Sequence, residues 1–473
     1  MAKLAKGLYK NCTIMKKLFG LLFSFSTITG FAQIANTISP AEKVYGLSKF
    51  WQEINYNFVY INKVNRAAWD SVYKQMITTV QKTENDYAYY RELQKFCGLL
   101  KDGHTNVYMP QIKGVEVMRT MFGDYRLFIE NIDGKAIIVR TNFSKKDEIP
   151  SGSEVIEVNG KLTKDYIQQY VSPYISSSTS YVLEDEGISN LLQGLKGDKF
   201  HIKIKKPDGK IVSLNITHAT TKEQEVFPAF EKDKALLDFK WYDNQVAYLG
   251  LNSFEDPKID TLFTNLLPEL YKAKGLIIDL QYNGGGSTGI GTAILQYLTN
   301  DKIIYGSKNS SRLHIPAFKA WGKFTKAADT LNDEWSKKSL LSFQDNYFYN
   351  FDYEPDTIRL NAKRIVVPTA ILISHNTASA AEDFLIYADN QKHMTKIGVN
   401  TFGSTGQPFV FDLPGGGSAR VCTKKDTYPD GREFVGYGIK PDIVVKKTLS
   451  DYTTMKDPVL DKALEYLRAK IIY

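Results

Sequence analysis

Between residues 37 and 103 apolar side chains return every three or four positions, the period of an amphipathic helix. Trp69, Val72, Met76 and Val80 trace one such face. Ser39-Pro40-Ala41-Glu42 is a capping box with proline in the first turn, so a helix is expected to begin there. A third helix is expected over about 86–101, stopping at Gly103, a residue suited to a left-handed C-terminal cap. His104 therefore falls on the loop where a helix stops. From 113 to 220 the pattern shortens to alternation. Arg126–Ile129, Ala136–Arg140, His201–Lys205 and Ile211–Ile216 read as strands, with turn pairs at Asp133-Gly134 and Asp208-Gly209. From about 235 to 447 continuous apolar runs (Ala247–Leu251, Gly275–Leu280, Val366–Ile373) alternate with helical stretches and glycine turns, as in βαβ architecture. An amphipathic helix over about 457–469 closes the chain. The expected fold is thus multidomain, mixing α/β and α+β: a helical domain at 33–112, a β module at 113–220 and an α/β core at 221–473.

Length and charge refine this picture. The chain has 473 residues, enough for more than one core. Residues 1–32 stand apart: Met15-Lys16-Lys17, an apolar run from Leu18 to Ile28, then Gly30-Phe31-Ala32. A basic start, a short apolar stretch and small residues before a cut describe a secretory signal peptide, with cleavage expected after Ala32 and Met15 as an alternative start. An exported protein, periplasmic or extracellular, is the expectation. The net charge of +8 falls to +3 once the five lysines of residues 1–32 are set aside, so nothing points to nucleic acid. No later apolar run approaches the ~20 residues of a membrane span. The six histidines show no metal-ligand spacing, and neither metal nor cofactor is expected. Cys97 and Cys422 remain after the leader, and whether they pair is open.

Two strand-to-helix corners carry the candidate chemistry. At the first, Gly275–Leu280 runs into Gln281-Tyr282-Asn283-Gly284-Gly285-Gly286, where converging backbone N–H groups suit an oxyanion. At the second, the strand ending at Ser374 turns through His375-Asn376-Thr377-Ala378-Ser379-Ala380-Ala381-Glu382. Small neighbours give a carbonyl access to the Ser379 hydroxyl, and the helix start adds N–H groups and a positive dipole end. A nucleophile and an oxyanion cradle together indicate acyl transfer. Gly284-x-Gly286-x-x-Gly289 also matches the dinucleotide fingerprint. Against that stand the three residues between strand and first glycine, and the missing acid at the end of the next strand, since Asp301 precedes its strand.

These segments resemble peptidase family S41, the carboxyl-terminal-processing and tricorn-core enzymes. Asp279-Leu280-x-x-Asn283-Gly284-Gly285-Gly286 is similar to the family's D-L/V-R-x-N-G-G-G, and Thr377–Glu382 to its nucleophile segment, with Ser379 as the central serine. Gly398-x-x-Thr401-Phe402-Gly403 and Gly436-Tyr437-Gly438-Ile439-Lys440-Pro441-Asp442 resemble its later motifs, in family order. Ser151–Gly160 resembles the strand and turn of a PDZ domain, a peptide-binding module; a small β module that only packs is the equal alternative. The resemblance implies a catalytic core of the ClpP/crotonase-like kind, no cofactor, and a peptide or unfolded-protein substrate. It also implies oxyanion donors at Gly285 or Gly286 and at Ala380.

One departure redirects the mechanism. Processing members carry a lysine base just after T-F-G, and here that position is Ser404. Lys101-Asp102-Gly103-His104-Thr105 instead resembles the D-G-H-S/T of the tricorn-like branch, which makes His104 the expected base. Histidine titrates near neutrality and can accept the serine proton. The same resemblance implies an acid shortly before the terminal motif to orient the imidazole, and Glu433 is the nearest candidate, though its spacing departs from the family's. Read alone, Ser379 is a helix cap, His104 a helix-end cap and Glu382 a helix-start charge; His375, Lys396, Lys424 and Lys425 are the alternative bases. The expectation is an exported serine endopeptidase. The alternatives are a catalytically inactive peptide-binding protein of the same fold and, more distantly, a dinucleotide-binding protein.

Overall fold

A computed structural model describes residues 34–230 and 233–471; the leader expectation at 1–32 falls outside them. The helical start is present as α1 (Pro40–Asn57), α2 (Arg66–Gln81) and α3 (Asp86–Gly98). Ser39 and Glu42 form the reciprocal capping box, with Pro40 in the first turn. Trp69, Met76 and Val80 are buried, and Trp69 stacks on Phe96 at 3.8 Å between ring centroids, fastening α2 to α3. The chain then leaves α3 differently from the expectation. The left-handed residue is Lys101 (φ 52°), not Gly103. Gly103 is bare for another reason: a Cβ there would lie 2.6 Å from the Phe402 ring and 3.2 Å from Ser404 Cβ.

Residues 121–217 build an antiparallel sheet in the spatial order Ile211–Thr217, Lys199–Lys205, Ser153–Val158, Lys135–Asn142, Tyr125–Ile132, Met121–Phe122. All four expected strands lie inside it. Asp133 and Gly134 both take positive φ (53° and 75°), the turn that matches the twist of a two-residue hairpin. Ile138, Val155, Val158, Ile202 and Ile204 give this sheet a core of its own.

The third part is a six-stranded sheet: β1 (Leu237–Tyr242), β2 (Val246–Leu251), β3 (Gly275–Asp279), β4 (Thr369–Ile373), β5 (Met394–Gly398) and β6 (Ile443–Val444), in that spatial order. The β1–β2 pair is antiparallel and the rest are parallel. Every residue of β2, β3 and β4 is buried, because a parallel sheet is covered on both faces. Alternate residues serve the two sides. Ala247, Leu249, Leu276, Ile278 and Ile371 join the large core shared with α1–α3. Val246, Tyr248, Ile277, Ala370 and Leu372 pack under the closing helix Pro458–Ile471 through Val459, Ala463 and Leu467. The carboxyl ends of β3 and β4 lie side by side, which puts the two glycine- and serine-bearing corners next to each other. Among the described residues no helix is long and apolar enough to cross a membrane.

Candidate active site

The serine corner follows β4. Thr377 Oγ donates to Leu280 O at 2.8 Å, and Ala378 N–H donates to Asn283 O at 3.0 Å, so the turn is stitched to the end of β3. Ser379 sits at φ 55°, ψ −122°, a conformation that costs a non-glycine residue roughly 1–3 kcal/mol. The helix α4 (Ala380–Ala388) begins at the next residue. A strained serine on a sharp strand-to-helix turn exposes its hydroxyl in the manner of a nucleophile elbow.

The glycine corner faces it. A Cβ on Gly285 would stand 2.7 Å from Ser379 Cβ and 2.9 Å from Ala380 N, so only glycine permits this approach. Asn283, fully buried, shapes the corner: its amide donates to Leu251 O and its oxygen accepts from Gly285 N–H, both at 2.9 Å. The Gly285 N–H is thereby consumed. Gly286 N–H and Ala380 N–H donate to no acceptor among the described residues, which narrows the expected oxyanion donors to these two.

His104 arrives from the turn after α3 and is 7% exposed. That turn is pinned on several sides. Gly103 N–H donates to Ser178 Oγ at 3.0 Å, Thr105 Oγ to Asp102 at 2.6 Å, and Arg420 to Gly103 O at 3.3 Å. The imidazole Nδ1 lies 2.7 Å from Ser404 Oγ. No hydrogen bond joins His104 to Ser379 among the described residues. Burial, then Arg420 and Lys424, push His104 down to about 4, so it is neutral at pH 7 and holds a free lone pair. Burial pushes Asp102 up to about 6 against its bonds from Thr105 and Ser178.

Glu382 ties the two halves together. It is fully buried, and it accepts from Thr401 Oγ (2.5 Å) and Gly403 N–H (2.8 Å) on one oxygen. The other oxygen accepts from Ser379 N–H (3.1 Å) and Ser404 N–H (3.3 Å). Burial pushes its carboxyl up to about 8, while these four donors oppose that rise. Glu382 is thus more than a helix-start charge.

The remaining candidates are placed elsewhere. The Glu433 carboxylate pairs with Lys425, while the His104 Nδ1 partner is the Ser404 hydroxyl, so the two are not brought together here. Lys396 is held by Asp389 and Asp442, Lys424 by Asp426 at 3.0 Å, and Lys425 by Glu433. His375 turns away from the serine and meets Asp185 at 2.5 Å, on the helix Ser180–Ser189 of the β module. Asp301 accepts from Gln391 Nε2 at 2.9 Å. Cys97 and Cys422 are both buried and unpaired. Asn283 and Glu382 were legible only as letters inside the quoted motifs, and Ser404 only as a departure. A cavity of about 480 Å³ flanks the base turn, lined by Tyr60, Trp69, Val72, Leu99, Asp102 and Val435.

Fold and corners together define a serine-type peptidase, a class in which a hydroxyl beside free backbone N–H groups attacks a carbonyl. Residues 245–445, the stretch that carries both corners, match the family model of Peptidase family S41. It is 22% identical over 414 residues to the carboxy-terminal processing protease CtpA of Bacillus subtilis, covering 86% of this chain and 72% of the relative. The carboxyl-terminal-processing protease of Synechocystis is 23% identical over 286 residues, 59% of this chain and 57% of that one. In fold, the chain is similar to mature CPAF complexed with lactacystin, with a TM-score of 0.62 at 16% identity, covering 92% of this chain and 98% of that one.

Proposed function

We propose that the protein is an exported endopeptidase that hydrolyses peptides or unfolded proteins through a Ser379–His104 acyl-enzyme mechanism. His104 Nε2 takes the Ser379 hydroxyl proton as Oγ attacks the scissile carbonyl. The carbonyl oxygen, now negative, accepts from Gly286 and Ala380 N–H. Collapse of the intermediate breaks the C–N bond, and His104 returns its proton to the leaving amine. Water then repeats the sequence on the ester and frees Ser379. The observation that carries this reading is the strained Ser379 beside Gly285, with two unspent N–H donors around it. His104, neutral and tied to the same Glu382-held loop, supports the base assignment. General-base help is worth roughly 10²–10⁴ in rate and one oxyanion donor roughly 10²–10³.

The β module at 113–220 is a PDZ-like peptide holder in this reading, and the core at 221–473 is of the crotonase-like kind. The largely apolar cavity beside Asp102 favours substrates whose apolar side chains are unfolded and free to enter. The test is hydrolysis of an unfolded protein and a fluorogenic peptide pool by the purified protein, alongside folded Ser379→Ala and His104→Ala variants. Loss in both supports the mechanism. Activity surviving His104→Ala removes the histidine from the base role. A second reading, a peptide-binding protein without chemistry, draws on Ser404 at the family's lysine position; peptide binding with no turnover and no covalent labelling of Ser379 would favour it.

A further inference from the structure

We propose that Ser404 is the positioning residue of His104, replacing the acidic partner by a neutral hydroxyl; the proposal rests on the Ser379–His104 reading. The bond is 2.7 Å, with His104 7% exposed and Ser404 fully buried, so solvent does not compete for either group. Its chemistry is directional. A base at Nε2 requires the ring proton on Nδ1, and Nδ1–H then needs an acceptor. Ser404 Oγ lies where it can be that acceptor and holds the ring plane; a hydroxyl can also donate, and the arrangement the proposal requires is the one in which Nδ1–H donates to Oγ and Nε2 keeps its lone pair.

The serine is itself immobile. Its N–H and that of Gly403 are both spent on the buried Glu382 carboxyl oxygens, and Gly403 O accepts from Gly436 N–H at 2.8 Å. On the facing side, Gly103 lacks the side chain that would press on Phe402 and Ser404, which lets the histidine turn come this close. The charged groups acting on the ring are Arg420 and Lys424, both cationic, while Glu433 is paired with Lys425. A hydroxyl orients the ring without adding a negative charge. The imidazolium formed during attack is therefore stabilised less than beside a carboxylate, and the resting ring stays neutral to lower pH.

The test is a double-mutant cycle on peptide hydrolysis with Ser404→Ala, His104→Ala and the pair, plus Ser404→Thr and Ser404→Cys, all checked for native circular dichroism. Ser404→Ala is expected to lower kcat by about 10- to 100-fold with KM within about twofold, because only orientation of the general base is lost. Ser404→Thr, which keeps the hydroxyl, restores most of the rate. Ser404→Cys, of similar size and a poor partner, behaves like Ala and serves in its place if Ala does not fold. In the His104→Ala background the Ser404 change has no further effect. Parent-like kcat in both Ser404→Ala and Ser404→Cys overturns the proposal. So does an equal loss with and without His104, which would make Ser404 a structural residue only. If His104→Ala retains full activity while Ser379→Ala has none, the underlying base assignment falls and this inference with it.

Discussion

The depressed basicity of His104 has a kinetic signature. Burial and two cations lower it from 6.5 to about 4. In the proposed Ser379–His104 mechanism the base works only when unprotonated, so kcat/KM would follow the neutral fraction of the free enzyme. At pH 5.5 a group titrating at 6.5 is only about 9% neutral, whereas one titrating near 4 is about 97% neutral. The ratio of kcat/KM at pH 5.5 to that at pH 8 is therefore expected near 1, not near 0.1. Two neighbours must be separated from it. Asp102, pushed up to about 6, braces the same turn, so an acid limb near 6 that disappears in Asp102→Asn belongs to the brace. Glu382, pushed up to about 8, titrates at the reference pH itself, so an alkaline limb near 8 that disappears in Glu382→Gln belongs to Glu382 and not to His104. The assay is initial-rate hydrolysis of an uncharged fluorogenic peptide from pH 4 to 9 at constant ionic strength. Labelling of Ser379 by a neutral fluorophosphonate, which has no leaving amine to protonate, is measured in parallel. An acid limb at or above 6.5 in both, surviving Asp102→Asn, would refute the argument. The same shift acts on folding. Below 6.5 the unfolded chain binds the His104 proton and the folded one does not, so this group's contribution is full above 6.5 and is lost as pH falls towards 4.

Three further outcomes are expected. Gly285→Ala should cut kcat by at least about 100-fold, since its Cβ would occupy the space of Ser379 Cβ at φ 99°; Gly284→Ala, with nothing within 4 Å, should stay near the parent in the same peptide assay. Ser379→Gly should unfold at higher urea than Ser379→Ala, by about 1 kcal/mol, because glycine relaxes the φ 55° strain; equal midpoints would show that the turn is unstrained. Glu433→Ala should change kcat less than about threefold, and a loss comparable to that of His104→Ala would reinstate it as the orienting acid.

Much of this architecture was readable from periodicity. The start of α1 was legible in its capping box, and the face of α2, the module strands and the buried strands β2 to β4 in their spacing, because burial on one or both sides leaves a repeating apolar imprint. Gly103 was misread since local rules connect glycine with helix ends. Its actual constraint is a contact with Phe402 and Ser404, three hundred positions away, which no local pattern encodes. The same distance hid the partner of His104. A search for an acid near the terminal motif led to Glu433, while a hydroxyl on another loop held the ring. Serine is common, so its letter carried no signal beyond marking where lysine was absent. Glu382 was in view and undervalued: its four donors come from two segments that meet only in the fold.

The single Glu382 oxygen that receives both Ser379 and Ser404 has a mechanical meaning. Two parts bolted to one bracket share its vibration. A displacement of α4 would carry the serine and the Ser404 loop with it, and the common part would cancel from the gap between them. Alignment in this site is thus a relative quantity, protected even when the absolute position of either group wanders.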